Sequence, residues 1–153
     1  MIPEKIYSKI HALMPIACVD LVVWREGQVL VLKRKDEPLR GGWFVPGGRV
    51  LRDEHLSYAC ARIVRDEAGL ESGSPRFVGY DETMFDTDPF HHGKGTHTVN
   101  LIFAVPGADG RVKLSSRHSA YQWLEPYEIV RNSDYHPYIR RIVQKAQLLE
   151  IDI

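Results

Sequence analysis

Hydrophobic positions along the chain follow two periods, and the alternation between them sets out the elements. Residues 3–13, PEKIYSKIHAL, put Ile6, Ile10 and Leu13 on one face at helical spacing, and Pro3 suits a first turn. The run IACVDLVVW (16–24) is unbroken enough for a buried strand. REGQ (25–28) reads as a turn, and VLVLKRK (29–35) returns as a second strand, which predicts a hairpin. EPLRGGWFVPGGRV (37–50) is a turn-rich loop around a short strand. A helix then runs between Asp53, a candidate N-cap with Glu54 in the first turn, and Gly69, a candidate C′ residue. Leu56, Ala59, Cys60, Ile63 and Val64 form its inward stripe. Strands are expected over 76–85, 97–106 and 120–124, and a final helix over 136–151. Residues 86–95, DTDPFHHGKG, form a polar, glycine-rich loop expected to be mobile. Strands mixed with helices predict an α/β fold, a sheet covered by helices on both faces.

Length and charge narrow the function. The 153 residues suit one domain over 1–153, with no repeat or linker, and 44% hydrophobic and 26% charged residues are enough for one core. Net charge is zero, so no basic excess advertises nucleic acid, and any phosphate must be held by a local arrangement. Cys18 and Cys60 stand in apolar surroundings and read as buried reduced thiols. No apolar run spans a membrane and no secretory signal is present, so a cytoplasmic address with no membrane partner is expected.

One local rule is broken. Asp66 and Glu67 sit at the end of the central helix, where the helix dipole disfavours carboxylates. Such breaches are where function is expected. Glu67 lies one turn beyond Ile63 and so continues the inward stripe. Glu54, Asp66 and Glu67 could bound one divalent-cation site if the loop holding Pro46-Gly47-Gly48 folds back over the helix. The bland alternative is a solvated acidic edge.

This segment resembles the box of the Nudix hydrolases: Gly, five residues, Glu, seven residues, Arg-Glu, an aliphatic, any residue, Glu-Glu, any residue, Gly, an aliphatic. Gly48, Glu54, Arg62, Val64, Glu67, Gly69 and Leu70 match at that spacing, while Ile63 and Asp66 replace two glutamates. The resemblance implies the Nudix fold, an α/β/α sandwich with a mixed sheet, binding Mg²⁺ and the diphosphate of a nucleoside-diphosphate derivative. The replacement at Ile63, with WFVPGGRV, VDLVV, LKRK, THTV, HSAYQWL and DYH, resembles the GDP-mannose mannosyl hydrolases within that family. Those enzymes direct water to the anomeric carbon and release GDP and an inverted sugar.

The resemblance assigns expectations residue by residue. Glu67 is the leading ligand for Mg²⁺ or Mn²⁺, with a backbone oxygen at Gly48 second and Asp66 and Glu54 behind. Arg34 and Arg49 would hold the diphosphate as forked donors. Arg62 either joins them or forms a salt bridge to Asp66 or Glu54. His118 matches the catalytic base, for which a group titrating near neutrality is suited. Arg117 stands where that group has a metal-binding glutamine, so it would bind phosphate or leave the metal shell changed. Thr83 stands where that group has a histidine on the leaving-group side. His97 is a candidate substrate contact, and Asp20 would contact sugar hydroxyls. A zinc site from His91, His92 and His97 matches no closed spacing. Tyr121, Trp123 and Trp43 are expected in the core. The short N-terminal helix is expected to pack against a second subunit in a homodimer. Two other functions stay open: a Nudix diphosphatase cleaving a sugar nucleotide or ADP-ribose at phosphorus, and a non-catalytic nucleotide-sugar sensor.

Overall fold

A computed structural model describes residues 1–107 and 110–149. The first part of the chain forms α1 (Glu4–Leu13), β1 (Ile16–Arg25), β2 (Gln28–Arg34), β3 (Trp43–Phe44), β4 (Gly47–Arg49) and α2 (Leu56–Ala68). The rest forms β5 (Arg76–Phe85), β6 (Thr96–Pro106), β7 (His118–Leu124), α3 (Pro126–Val130) and α4 (Pro137–Leu148). The predicted end of the last helix, 150–151, lies outside the described residues.

The hairpin of β1 and β2 closes through Glu26 and Gly27, both at positive φ (51° and 80°), the conformation a tight two-residue turn requires. Pairing between them stops after Trp24↔Val29 and Arg25↔Gln28, because the strands then splay. β1 pairs along its length with β6 in parallel and, through Cys18–Asp20, with β4 in antiparallel. β2 takes β7 and β3 as partners. The result is a mixed seven-stranded sheet with the path β3-β2-β1-β6-β5, β4 and β7 branching from it.

Unbroken apolar strands must bury both faces, and both are covered. α2 sets Ala59, Cys60, Ile63, Val64 and Ala68 against Val19, Leu21, Val23, Leu30 and Leu32. α4 sets Tyr138, Ile139, Ile142, Val143 and Ala146 against the opposite face, with Val22, Trp24, Val29, Val31 and Ile102. The α/β/α sandwich is therefore as expected, and the splay between β1 and β2 opens one end of it.

Several local expectations change. α2 begins two residues later than its acids suggested: His55 is the N-cap, Asp53 is a loop residue at φ 61°, and Glu54 lies outside the helix. Gly69 stops the helix at φ 67°, as predicted. Tyr121 is 41% exposed rather than core, while Trp123 packs beneath the Arg25 guanidinium (4.3 Å). Cys60 is buried but Cys18 is only half-buried; both are free thiols. On α1 the buried residue is His11, whereas Ile6 and Leu13 are exposed. The loop 86–95 is tied down: the buried Asp88 carboxylate accepts the backbone N–H groups of Phe90, His92 and Gly93. None of the described helices is long and apolar enough to cross a membrane.

Candidate active site

The open end of the sandwich holds a cavity of about 710 Å³. Its floor is the end of the sheet, where Asp20 of β1, Asn100 of β6 and Thr83 of β5 point away from α2. One wall is the glycine turn of β4 with Arg49, and Glu67 enters beside it from α2. Arg34, Arg117 and His118 form the facing wall, and α1 with the loop 86–95 closes the rim through Tyr7, His11 and Phe90.

Glu67 answers why a helix ends on an acid. Its side chain does not lie on the solvated helix end but turns in, and Oε1 accepts the Gly47 backbone N–H at 2.7 Å. Burial pushes its carboxyl up to about 7, against the lowering effects of that N–H and of Arg34 and Arg117; Asp20 adds to the rise. Its Oε2 lies 3.9 Å from Nδ1 of His118, which is itself 4% exposed. Ser115 Oγ lies 3.3 Å from the same nitrogen, which leaves Nε2 as the free ring atom. Burial, followed by Arg34 and Arg117, lowers His118 to about 4, so it is neutral at pH 7. The expected near-neutral titration of this histidine is corrected: burial and the two guanidinium groups hold it unprotonated and a weak base, and it is Glu67 that burial moves toward neutrality.

Asp20, which alternation allowed to face solvent, is 5% exposed. Its Oδ2 accepts the Tyr138 hydroxyl at 2.5 Å, and burial still raises it to about 6. The carboxylate leaves no room for a Cβ at residue 47, so glycine is required there for close approach rather than for its φ. Arg34 is anchored by Nε to the Pro38 carbonyl at 2.7 Å, and burial lowers its pKa. Arg49 lies over the Tyr7 ring at 4.1 Å.

Four predicted residues are not brought into the cavity. Arg62 donates to Glu54 through Nε (2.6 Å) and Nη2 (3.0 Å), and to the Arg49 carbonyl (3.0 Å). Glu54 also accepts the Leu51 N–H, so it is committed to holding the loop on the helix. Asp66 is 63% exposed and 4.0 Å from Arg62. His97 belongs to the opposite side of β6 from Thr96 and Thr98, which line the cavity, and its Nε2 is buried without a partner. Strand alternation explains that displacement. Among the described residues no group of three or more His, Cys, Asp or Glu side chains could hold a metal ion. What remains is the Glu67 carboxylate, one oxygen of which accepts the Gly47 N–H. This donor set suits a hard cation that takes one or two carboxylates and completes its shell with substrate phosphates. Residues that the sequence did not single out are Tyr7, His11, Asp88, Phe90, Asn100 and Tyr138. Only the shared face of Tyr7 and His11, four apart on a helix, was a usable signal.

Comparison with known proteins agrees with this geometry. A NUDIX domain model matches residues 14–146. The low-salt glycan biosynthesis protein Agl8 of Haloferax volcanii is 35% identical over 141 residues, covering 92% of this chain and 87% of that protein. An ADP-ribose pyrophosphatase of Methanocaldococcus jannaschii is 29% identical over 101 residues, covering 66% of this chain and 56% of that protein. In three dimensions the MutT protein of Methanosarcina mazei superposes with a TM-score of 0.74 at 24% identity, covering 92% of this chain and 99% of that one. The NUDIX domain of Shewanella oneidensis NrtR, solved with ADP-ribose, gives 0.71 at 14% identity, covering 98% and 100%. With the box, the fold and the family model in agreement, the chain belongs to the Nudix family and is a Nudix hydrolase.

Proposed function

We propose that the chain hydrolyses nucleoside-diphosphate sugars at the sugar carbon, in the manner of the GDP-mannose mannosyl hydrolases. The observation that carries this reading is the buried pair of Glu67 and His118, 3.9 Å apart, beside Arg34 and Arg117 in one cavity. A histidine that can take a proton sits next to a cationic wall suited to a leaving diphosphate. Water forms its bond to C1 as the bond from C1 to the diphosphate oxygen breaks. His118 Nε2 takes the water proton, and GDP leaves with both electrons. Burial, followed by Arg34 and Arg117, holds His118 low; a diphosphate beside the two guanidinium groups would offset their share of that lowering. Arg49 and Asp20 line the same cavity, where Arg49 would be the third phosphate donor and Asp20 would accept from sugar hydroxyls.

Glu67 and a backbone oxygen of Gly48 would hold Mg²⁺ or Mn²⁺, which would supply charge neutralisation at the diphosphate. Glu54, Asp66 and Arg62 serve the loop–helix junction instead. Exposed Ile6, Leu13 and Met14 support a homodimer through α1, and a monomeric sedimentation profile would remove that idea. A cytoplasmic, one-domain enzyme over 1–153 completes the proposal.

The second reading, cleavage at phosphorus, is favoured by the ADP-ribose pyrophosphatase relative. Incubation with GDP-mannose and Mg²⁺ in ¹⁸O-water separates the two. GDP and ¹⁸O-labelled free sugar are expected; GMP and sugar phosphate, labelled on phosphorus, would replace this proposal with the second.

A further inference from the structure

At the rim of the cavity, α1 and the loop 86–95 are joined by a chain of hydrogen bonds that the hydrolytic reading does not use. Asp88 shapes the loop by accepting from Phe90 N (2.8 Å) and His92 N (3.1 Å) through Oδ1 and from Gly93 N (3.0 Å) through Oδ2. The turn so formed aims the Lys94 backbone N–H at His92 Nδ1, 3.0 Å away. A nitrogen that accepts this bond carries no proton, so the proton of the neutral ring is on Nε2. Asp88 Oδ2 is also near Nδ1, but at 3.4 Å, and it already accepts from Gly93. His92 Nε2 lies 2.7 Å from His11 Nδ1. The donor is His92 and the acceptor is His11 Nδ1, which leaves the His11 proton on Nε2.

That Nε2–H has no hydrogen-bond partner among the described residues. It is also not among the described buried polar atoms that lack one, which belong to Trp24, His97 and Asn100. His11 is 8% exposed and lines the cavity, and Nε2 is the ring nitrogen it has left to offer there. Burial, then His92, lowers the His11 pKa, which keeps the ring neutral and a donor only. Around it stand aromatic rings: Phe90 is edge-on to His11 with centroids 5.2 Å apart, and Tyr7 is edge-on to Phe90 at 5.4 Å. The rim is separated from the charged end along β1. Ile16 and Asp20 both line the cavity, and four residues of strand span about 13 Å. That is the scale of one nucleotide.

We propose that His11, with Tyr7 and Phe90, forms a nucleobase subsite in which His11 Nε2–H donates to a ring nitrogen or carbonyl oxygen of the base. The proposal rests on the nucleoside-diphosphate reading above. His92 and Asp88 are positioning residues: they hold His11 in the tautomer that offers a proton outward. A base lacking an acceptor there would leave a desolvated donor unpaired, so the subsite discriminates as well as binds.

Calorimetric titration of the Mg²⁺-supplemented protein with GDP, ADP and pyrophosphate tests this. His11→Phe is expected to weaken GDP or ADP about tenfold, the loss of one hydrogen bond, and to leave pyrophosphate unchanged. In wild-type protein, ¹⁵N imidazole NMR is expected to show His11 as the Nε2–H tautomer, its signal shifting with GDP and not with pyrophosphate. His92→Phe is expected to release that tautomer preference and lose part of the GDP affinity. Unchanged GDP and ADP affinity, equal weakening of pyrophosphate, or a loss confined to GDP-mannose would each overturn the subsite. The NMR arm uses wild-type protein, so a poorly folded variant does not blunt it. Wild-type protein that binds pyrophosphate and GDP equally tightly would end the base subsite while the diphosphate reading stands. Wild-type protein that binds neither would end both.

Discussion

Glu54 precedes the helix whose last turn carries Glu67, and the fold treats the two in opposite ways. Glu54 has its charge matched: two Arg62 nitrogens at 2.6 and 3.0 Å and the Leu51 N–H hold its pKa below the ordinary value, Arg62 foremost. Glu67 is buried beside one N–H, and burial raises it to about 7. A matched carboxylate has little free-energy reason to bind anything further. A buried and under-compensated one gains by meeting a cation. Proximity to the box motif therefore does not tell the two acids apart; electrostatic satisfaction does.

The contrast is broken most severely at Glu67. Glu67→Gln is expected to lower Mg²⁺-dependent turnover by more than about a hundredfold, with the circular dichroism spectrum retained. Full activity would place the reactive acid elsewhere. His118→Phe comes next: kcat is expected to fall about a hundredfold with little change in KM, read from steady-state kinetics on GDP-mannose.

On the matched side, Arg62→Met is expected to cost about 1–3 kcal/mol in denaturant unfolding, because it strands Glu54 and the Arg49 carbonyl. Turnover per folded molecule should stay within about threefold of wild type, as suits a residue outside the cavity. A large loss of kcat with unchanged stability would return Arg62 to the substrate. Asp66→Asn, at an exposed position, is expected to change stability by less than about 0.5 kcal/mol and activity hardly at all.

The smallest effect separates the two acids by pH. The depressed pKa of Glu54 contributes stability that is present above about 4.5 and lost as pH falls through its folded value. The raised pKa of Glu67 has the opposite sign: its burial costs least below about 4.5, and stability falls as pH rises toward 7. In thermal melts without divalent ions, Glu67→Gln should therefore gain on wild type as pH rises from about 4.5 to about 7, whereas the deficit of Glu54→Gln should be constant over that range and shrink only as pH falls below about 4.5. Parallel curves would contradict the assignment of the two charges.

Much of the fold was legible from residue order. Alternation and unbroken apolar runs located β1, β2, β5 and β6, and Gly69 marked the end of α2 because a left-handed residue was needed there. The start of α2 was missed because Asp53 and Glu54 have the composition of a helix start, but the loop–helix junction claims Glu54 for Arg62. On α1, Ile6 and Leu13 suggested the buried face, yet tertiary packing chose His11. His97 was placed by likeness of motif and displaced by the two-residue period of β6.

The sequence by itself determined the family, the order of elements and the cluster of chemistry around the glycine turn, because these depend on spacing within a few turns of chain. Tertiary structure alone decided which acid is left unmatched, that Asp20 meets Tyr138 across 118 residues, and that His11 meets His92 across 81. The physical reason is that desolvation and hydrogen-bond satisfaction belong to the surroundings of a group. Those surroundings are assembled from segments far apart in the chain, which no local pattern encodes.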